Sequence, residues 1–354
     1  MSAYRDKKTG NWVASIRYRD MHGNLQRKSK RGFRTKRDAL EWERKFVEQA
    51  SGSLTMPFDA FVENYIKDVS PRIKPSTLAT KKCIIETHIV PYFKETPVSD
   101  ITSMMIAGWQ NEQLSKGFKS SYLATLNSQL TAIFNHAVKY YGLQKSPTIS
   151  TDKIGNNRDA PTVDFWTLDE YREFSKAIEE DVMFFILFET LYWTGLRIGE
   201  ALALTPRDID FEAKKIKVSK TFYHLKGADY ITPPKTSKSN REITIPDSLS
   251  RELESYISRI YEAGPDDRIF PTNKGTVRNK LLQACEKSRV KPIRVHDLRH
   301  SHVSLLIHMG YSAVAIADRL GHETQDITYR YAHLFPSVQE DIAHRLDELS
   351  VKNL

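Results

Sequence analysis

Four short polar stretches between residues 194 and 331 contain side chains of the types that bind phosphate and move protons. They are Thr194–Glu200, which has one arginine between two glycines; Pro233–Arg241, which is rich in lysine; His296–His300; and Leu320–His322, which is followed after nine positions by Tyr331. Glycines allow a backbone to approach a ligand closely, so Arg197 is well placed to meet an anion.

Each stretch alone also has an ordinary structural explanation, because arginines form salt bridges, lysine-rich turns are solvated, and histidines and tyrosines often pack in cores. Two arginines, a lysine and two histidines can be drawn from the four stretches, and Tyr331 adds a tyrosine. Arginine binds phosphate oxygens bidentately, histidine donates or moves protons, lysine can protonate a departing oxygen, and tyrosine can be a covalent nucleophile. This combination is expected of a site that transfers a phosphodiester to a protein hydroxyl.

The order of these residues resembles that of the tyrosine recombinase or phage integrase family. The sequence contains Thr-Gly-Leu-Arg-Ile-Gly-Glu-Ala, then a lysine turn, His-x-x-Arg, Leu-Gly-His and a tyrosine nine residues later. More loosely, residues 54–143 look like the helical core-binding domain of integrases, and residues 1–50 resemble the three-stranded arm-binding domain found in phages and conjugative transposons. The resemblance implies a site-specific DNA recombinase of a mobile element, with integrase or excisionase activity, that acts through a 3'-phosphotyrosyl intermediate and a Holliday junction.

Carried over position by position, the resemblance implies six catalytic residues: Arg197, Lys235, His296, Arg299, His322 and Tyr331. The tyrosine attacks the scissile phosphate, the two arginines bind its non-bridging oxygens, and His322 donates a further hydrogen bond. His296 accepts the tyrosine proton, and Lys235 is the general acid for the leaving oxygen. Lys238, in the same turn, remains an alternative acid, and Tyr329 remains an alternative nucleophile that breaks the nine-residue interval.

No cofactor and no metal are expected for this chemistry. The phosphotyrosine bond retains the energy of the broken phosphodiester, so religation needs no nucleotide, and the sequence has no Gly-x-x-x-x-Gly-Lys loop. Two fixed guanidinium groups can offset the transition-state charge in a desolvated pocket.

Three other functions fit parts of the pattern. His296 and His300 lie four positions apart on a predicted helix and could share a metal in a hydrolase, but the glutamate of a His-Glu-x-x-His motif is absent. The neighbouring apolar residues favour core packing for His300 and His302 instead. A catalytically silent DNA-binding regulator of the same fold is disfavoured, because such a protein would not need the complete set of catalytic residues that this sequence contains. A type IB-like topoisomerase uses similar chemistry, but the arm-like N-terminal segment favours recombination between distant sites.

The positive charge of the chain is concentrated in its first fifty residues. The 354 residues carry a formal net charge of +9, and residues 1–50 contain 14 Lys and Arg against 6 Asp and Glu. The remainder is therefore nearly neutral. A short basic segment attached to a nearly neutral body is typical of a protein that binds a polyanion, most often nucleic acid.

The pattern within this basic segment predicts a folded module. Residues 12–19 alternate in polarity as a half-buried strand does, residues 22–24 predict a turn, and residues 25–31 predict a second strand. Thr35 is a candidate N-cap for a helix that carries Ala39, Trp42 and Phe46 on one face. We expect a sheet of two or three strands backed by this helix, narrow enough to enter a major groove. Its exposed face is predicted to carry six basic residues that bind DNA: Arg17, Arg19, Arg27, Lys28, Lys30 and Arg31.

The remaining sequence predicts a helical bundle, a linker and a second domain. Apolar residues at helical spacing indicate four helices within residues 54–144, with Lys74, Lys81 and Lys119 as candidate DNA contacts. Residues 145–164 have the composition of a linker, and a capping box at Thr167 opens a domain over residues 165–354. The apolar spacing over residues 337–349 predicts a C-terminal helix that docks either on its own domain or on a neighbouring protomer.

The fold class expected from these elements is multidomain α+β. It combines a small basic three-stranded sheet plus a helix, a helical core-binding bundle, and a mostly helical catalytic domain with a small antiparallel sheet, as in the tyrosine recombinase fold.

Composition and resemblance together predict the compartment and the partners. Cys83 and Cys285 are far apart in the sequence, which fits a reducing compartment, and the longest apolar run, residues 182–188, is too short to span a bilayer. We expect a protein of the bacterial cytoplasm and nucleoid with no membrane association. The resemblance implies double-stranded DNA with core and arm sites as the partner, and a homotetramer on that DNA. A host DNA-bending protein and an excisionase are further candidate partners.

Overall fold

The computed structural model describes residues 3–6, 9–19, 25–50, 54–156, 164–233, 239–260 and 264–321. The chain divides into two compact units, Met1–Pro161 and Thr162–Leu354. Within the described ranges, no helix is both long enough and apolar enough to cross a membrane.

The N-terminal unit begins with a three-stranded antiparallel sheet and a helix that packs against it. The strands are β1 (Ala3–Arg5), β2 (Trp12–Arg19) and β3 (Leu25–Phe33), with β2 in the centre, and the helix is α1 (Lys36–Ala50). Thr35 Oγ1 accepts a hydrogen bond from the backbone N–H of Asp38 at 3.1 Å, as the predicted N-cap requires. Ala39 is fully buried. The predicted sheet with a helix behind it is confirmed.

The register of this sheet divides its basic residues between two faces. The pairs between β2 and β3 include Ala14–Lys30, Ser15–Ser29, Ile16–Lys28 and Arg17–Arg27. Successive residues of a strand point to opposite faces, so Arg27 and Lys28 do not share one. Lys30 Nζ lies 5.6 Å from the ring centroid of Trp42 on α1. The expectation of a single basic face is therefore wrong, although Arg27, Lys28, Lys30 and Arg31 are all exposed.

A helical bundle follows in the same unit. Its helices are α2 (Phe58–Val69), α3 (Pro75–Ile84), α4 (Val90–Phe93), α5 (Ser103–Ser115) and α6 (Ser120–Tyr140). A π-helical turn, Ile85–Ile89, joins α3 to α4. The core consists of the apolar residues whose spacing predicted helices, among them Phe58, Phe61, Leu126, Leu130 and Phe134. Trp109 is buried in this core and donates its indole N–H to the carbonyl of His88 at 2.7 Å.

Residues 145–156 pack against this bundle. A 3₁₀ turn, Pro147–Ser150, begins the segment, and Ile154 lies in the bundle core. The buried side chain of Gln110 donates from Nε2 to the carbonyl of Asp152 at 2.7 Å. The backbone N–H of Asn156 donates to Ser120 Oγ at 2.9 Å. The first part of the segment predicted as a linker thus has fixed contacts with the helices, and residues 157–163 lie outside the described residues.

The second unit is mostly helical, with two small antiparallel sheets. Its helices are α7 (Leu168–Ile178), α8 (Val182–Thr194), α9 (Ile198–Ala201), α10 (Asp247–Ser258), α11 (Lys274–Ser288), α12 (Asp297–His308) and α13 (Ala313–Leu320). The capping box predicted at the start of α7 is present, with Thr167 Oγ1 and the Glu170 carboxylate each accepting a backbone N–H. Helix α8 is apolar on nearly all sides because it is buried in the centre of this unit.

In the sequence, the lysine-rich stretch of the second unit is preceded and followed by short strands. They are β4 (Ile209–Asp210), β5 (Lys215–Val218), β6 (Thr221–Leu225), β7 (Ala228–Thr232) and β8 (Arg241–Thr244). Strands β4, β5 and β8 form one sheet, and β6 pairs with β7 in another. The β6–β7 hairpin was not predicted from the sequence, although Lys226 and Gly227 both have positive φ, as in a type I′ turn.

Candidate active site

The end of α8 sets the position of the first arginine. Gly195 ends the helix in the left-handed conformation, with φ of +66°, and its N–H donates to the carbonyl of Leu191. A Cβ atom at this position would lie 2.7 Å from the ring of His302 and 2.7 Å from a methyl carbon of Leu320. Both the backbone angle and the packing therefore require glycine here. The chain turns sharply at this glycine and presents Arg197 two residues later.

Arg197 is held by a buried carboxylate on the short helix that follows it. The Arg197 backbone N–H donates to Glu200 Oε2 at 3.0 Å, and its Nη1 donates to Oε1 at 2.8 Å. The side chain of Arg197 is 36% exposed, whereas that of Glu200 is 4% exposed. The guanidinium is thus anchored at one edge and open to the surface, which is the arrangement needed to receive an anion.

Arg299 lies on α12 and is almost completely buried, with 3% of its surface exposed. Its Nη1 donates to the carbonyl of Gly195 at 2.7 Å, and its Nη2 donates to the carbonyl of Leu320 at 2.8 Å. One guanidinium therefore joins the turn that carries Arg197 to the end of α13, which leads directly to His322. Three of the four polar stretches meet at this side chain.

His296 immediately precedes α12 and titrates in the field of both arginines. Burial is the largest cause that lowers its pKa, and the positive charges of Arg299 and Arg197 lower it further, while Asp297 acts in the opposite direction. A lowered pKa keeps the imidazole neutral at pH 7, so the ring can accept a proton. The position of His296 close to both guanidinium groups brings three of the six predicted catalytic residues together.

Comparisons with known proteins show which family the chain belongs to. Three family models match the chain: the phage integrase family over residues 165–337, the phage integrase N-terminal SAM-like domain over residues 58–114, and the arm DNA-binding domain over residues 2–50. The chain is 32% identical to the ICEBs1 integrase of Bacillus subtilis over 335 residues, which cover 89% of this chain and 90% of the relative. The chain belongs to the phage integrase family. It is a site-specific tyrosine recombinase, as the order of the polar residues predicted.

Other relatives and solved structures extend the likeness of this recombinase along most of its length. A putative prophage phiRv2 integrase of Mycobacterium tuberculosis is 25% identical over 370 residues, covering 98% of this chain and 95% of the relative. The Tn1549 transposon integrase in complex with transposon right end DNA gives a TM-score of 0.67 at 20% identity, over 81% of this chain and 98% of that one. A lambda integrase tetramer bound to a Holliday junction gives a TM-score of 0.58 at 20% identity, over 92% of this chain and 96% of that one. The predicted tyrosine recombinase fold is confirmed.

Two histidines on α12 of the recombinase, His300 and His302, have different surroundings. His302 is buried, and its Nε2 accepts a hydrogen bond from Arg319 Nε at 3.1 Å. His302 is 2% exposed, which confirms its predicted place in the core. Burial and the charge of Arg319 lower its pKa to about 3. Burial, followed by the charge of His296, lowers the pKa of His300 to about 4. Within the described ranges, no three His, Cys, Asp or Glu side chains come together as metal ligands would.

Several predicted residues of the recombinase lie outside the described residues. They are Lys235 and its alternative Lys238, His322, Tyr331 and its alternative Tyr329, and the predicted C-terminal helix at residues 337–349. The side chains of Arg17 and Arg19 also lie outside them, although the backbone of both residues belongs to β2. The assignments of these residues stay predictions.

The three bundle lysines of the recombinase differ in the exposure of their side chains and in the hydrogen bonds recorded for them. Lys119 is exposed at the start of α6, and Lys74 is partly exposed at the start of α3. Lys81 Nζ donates to Tyr65 Oη at 2.8 Å and to Gln129 Oε1 at 2.6 Å, and desolvation lowers its pKa. Lys81 therefore links α3 to α2 and α6 within the bundle, and its role in DNA binding stays a prediction.

Two residues of the site had no role assigned from the sequence. Glu200 holds Arg197, and Arg241, the first residue of β8, donates from Nη2 to Glu200 Oε2 at 3.0 Å. The spacing of Glu200, three residues after Arg197, resembles a capping box and is a signal that could have identified it. No local pattern distinguishes Arg241 from the other basic residues near the lysine-rich turn.

Proposed function

We propose that this recombinase cleaves double-stranded DNA by transferring the scissile phosphodiester to Tyr331, and that Arg197, Lys235, His296, Arg299 and His322 assist the transfer. The observation that supports this most strongly is the convergence at Arg299. Its guanidinium binds the carbonyls of Gly195 and Leu320, which lie far apart in the sequence. The Arg197 turn, the His296–Arg299 stretch and the Leu-Gly-His stretch are thereby held in one place.

The two arginines suit the charge that develops during transfer. The tyrosine oxygen attacks phosphorus, a P–O bond forms, and the bond to the 5'-oxygen breaks, so negative charge accumulates on the non-bridging oxygens. Arg197 offers an exposed guanidinium, and Arg299 adds a positive charge from a buried position where solvent screens it little. His296, kept neutral by its lowered pKa, takes the phenolic proton, and His322 donates to a non-bridging oxygen.

Lys235 is the general acid that protonates the departing 5'-oxygen in this scheme. Replacing Lys235 by alanine is expected to slow cleavage of an ordinary substrate by roughly 10²- to 10⁴-fold, the usual contribution of a positioned acid. The defect should disappear on a substrate with sulfur in the bridging 5' position, because a thiolate leaves without protonation. The measurement is single-turnover cleavage of a nicked duplex built on the short direct repeat that bounds the element carrying the gene.

Lys238→Ala is the matched control for this experiment, because it removes the same charge from the same turn. We expect it to cleave both substrates at nearly the wild-type rate. The reverse pattern, with Lys238→Ala slow and restored by sulfur, would transfer the acid role to Lys238. If sulfur restores neither variant, the turn does not contain the general acid.

The DNA partner in this proposal has two kinds of site. The helical bundle and the second unit bind a core site, with Lys74 and Lys119 as phosphate contacts, and the basic sheet binds a separate arm site. Four protomers act on two duplexes and exchange strands through a Holliday junction; the lambda integrase tetramer bound to a Holliday junction has the same fold and supports this assembly. A host DNA-bending protein and an excisionase are the accessory partners we propose, in a bacterial cytoplasm at the nucleoid.

The basic sheet increases DNA affinity mainly by binding phosphate groups, and salt tests this directly. A full-length variant with Arg27, Lys28 and Arg31 changed to glutamine should bind element-end DNA more weakly. The slope of log affinity against log salt should fall by about 0.9 for each phosphate group that the variant no longer neutralises. Binding is measured by fluorescence anisotropy at several salt concentrations.

A second triple variant controls for the change in net charge. Arg172, Lys176 and Lys287 are exposed basic residues of the second unit that already pair with acidic neighbours. Changing these three to glutamine should leave the slope unaltered. If the sheet variant and this variant behave alike, the sheet does not contact the DNA backbone.

A further inference from the structure

We propose that Arg241 is a positioning residue for strand cleavage: through Glu200 it fixes the guanidinium of Arg197 and preserves the positive charge that Arg197 presents to the phosphate. This inference rests on the proposed role of Arg197 in binding the scissile phosphate. Arg241 itself is buried, with 7% of its side chain exposed, so it acts through its neighbours.

The geometry makes one carboxylate common to two arginines. Glu200 Oε2 accepts from the Arg197 backbone N–H at 3.0 Å and from Arg241 Nη2 at 3.0 Å. Glu200 Oε1 accepts from Arg197 Nη1 at 2.8 Å and, more weakly, from Arg241 Nη1 at 3.4 Å. Each oxygen of Glu200 is therefore shared between the two guanidinium-bearing residues, and neither arginine has the carboxylate to itself.

This sharing determines how much charge Arg197 offers to a ligand. Burial works to raise the pKa of Glu200, but the charge and hydrogen bonds of Arg241, followed by those of Arg197, outweigh it and keep the pKa below its ordinary value. The carboxylate is thus ionised, and the three groups together carry one net positive charge. Without Arg241, the buried carboxylate would have Arg197 as its main partner, and the pair would be neutral.

Arg241 also connects the surrounding elements. Its Nε donates to the carbonyl of Arg319 at 3.0 Å, close to the end of α13, and its Nη1 donates to the carbonyl of Ser239 at 3.2 Å. It begins β8, six positions after Lys235 in the sequence. One guanidinium therefore holds Ser239, the Glu200 carboxylate and the C-terminal end of α13 in a fixed relation.

A double-mutant cycle on the full-length protein tests the inference. Single-turnover cleavage is measured on the nicked direct-repeat duplex for wild type, R197A, R241Q and the double variant. We expect R197A to be roughly 10²- to 10³-fold slower, as for loss of one transition-state donor, and R241Q to be roughly 10- to 100-fold slower. The double variant should be no slower than R197A, because a residue that acts through Arg197 has nothing left to position.

A methylphosphonate at the scissile position supplies the second readout. The methylphosphonate replaces a charged non-bridging oxygen by a methyl group. If the defect of R241Q is a deficit of positive charge, R241Q and the wild type should cleave this substrate at nearly the same rate. R268Q is the matched control: Arg268 is an arginine with 17% of its side chain exposed that donates to the carbonyls of Leu202, Phe270 and Thr272. Any slowing in R268Q should be the same on the R197A background and should not respond to the methylphosphonate.

The outcomes separate this inference from the proposed function. If R197A is slow but R241Q cleaves at the wild-type rate, or if the two rate defects multiply, Arg241 is not a positioning residue and the role of Arg197 stands. If R197A itself cleaves normally, the assignment of Arg197 and the inference both fail. Should R241Q not fold, as judged by its thermal midpoint, R241M takes its place in the same cycle with the same expected rates, because methionine also removes the charge and its unbranched side chain fills much of the same space.

Discussion

Replacing Tyr331 by phenylalanine is expected to abolish the covalent protein–DNA adduct while DNA affinity stays at the wild-type value. The change removes only the oxygen that attacks phosphorus, so no phosphotyrosyl bond can form, and the aromatic ring is retained. The adduct is measured by denaturing gel electrophoresis after incubation with the nicked direct-repeat duplex, in which release of the short leaving strand traps the intermediate. Affinity is measured by anisotropy on the same duplex without the nick.

Tyr329→Phe is the control, since this tyrosine lies only two positions away. It should give the adduct at the wild-type yield. An adduct of normal yield from the Tyr331 variant, combined with none from the Tyr329 variant, would show that Tyr329 is the nucleophile. Normal adduct from both would place the nucleophile elsewhere in the chain.

The Gly195→Ala substitution is expected to lower the free energy of unfolding by about 2 to 5 kcal/mol. A left-handed backbone costs a residue with a Cβ about 1 to 2 kcal/mol, and forcing an additional carbon into a packed core costs about 1 to 3 kcal/mol more. The new methyl group would lie 2.7 Å from both His302 and Leu320. Because the Gly195 carbonyl also accepts from Arg299, cleavage should fall together with stability.

Gly310→Ala separates backbone strain from packing. Gly310 also has a positive φ, of +84°, but nothing lies within 4 Å of the position its Cβ would take. This variant should therefore be destabilised by only about 1 to 2 kcal/mol, the cost of the left-handed backbone. Unfolding in urea at constant pH measures both variants. If Gly195→Ala is no more destabilising than Gly310→Ala, the close packing of the α8 turn is not important for stability.

The parts of the fold that could be predicted from the sequence depend on local patterns. The helices of the bundle follow apolar residues at helical spacing, and the caps at Thr35 and Thr167 depend on side chains that bond to backbone N–H groups within three residues. The order of the polar stretches was enough to predict the family, and the catalytic assignments that follow from it stay predictions. Arg197, His296 and Arg299 are close together because the fold positions those stretches.

The parts that could not be predicted depend on contacts between distant segments. The basic residues of β3 divide between two faces because the strand register fixes which residues share a face, and a sequence of nearly uniform basic character does not reveal that register. The partnership between Glu200 and Arg241 joins residues forty-one positions apart. In the sequence, Glu200 and Arg241 are two charged residues among many, and no local spacing indicates that they form a pair.

The packing of residues 145–156 against the bundle determines where a shortened N-terminal fragment should end. A fragment that stopped at residue 144 would remove one of the two acceptors of the buried Gln110 amide, the Asp152 carbonyl, and expose the apolar surface that Ile154 covers. It would also remove Gly155, whose left-handed backbone passes close to the carbonyl of Ser120. Isolation of this half for crystallisation or NMR should therefore retain the chain through Asn156, and a boundary chosen from composition alone would yield a less soluble protein.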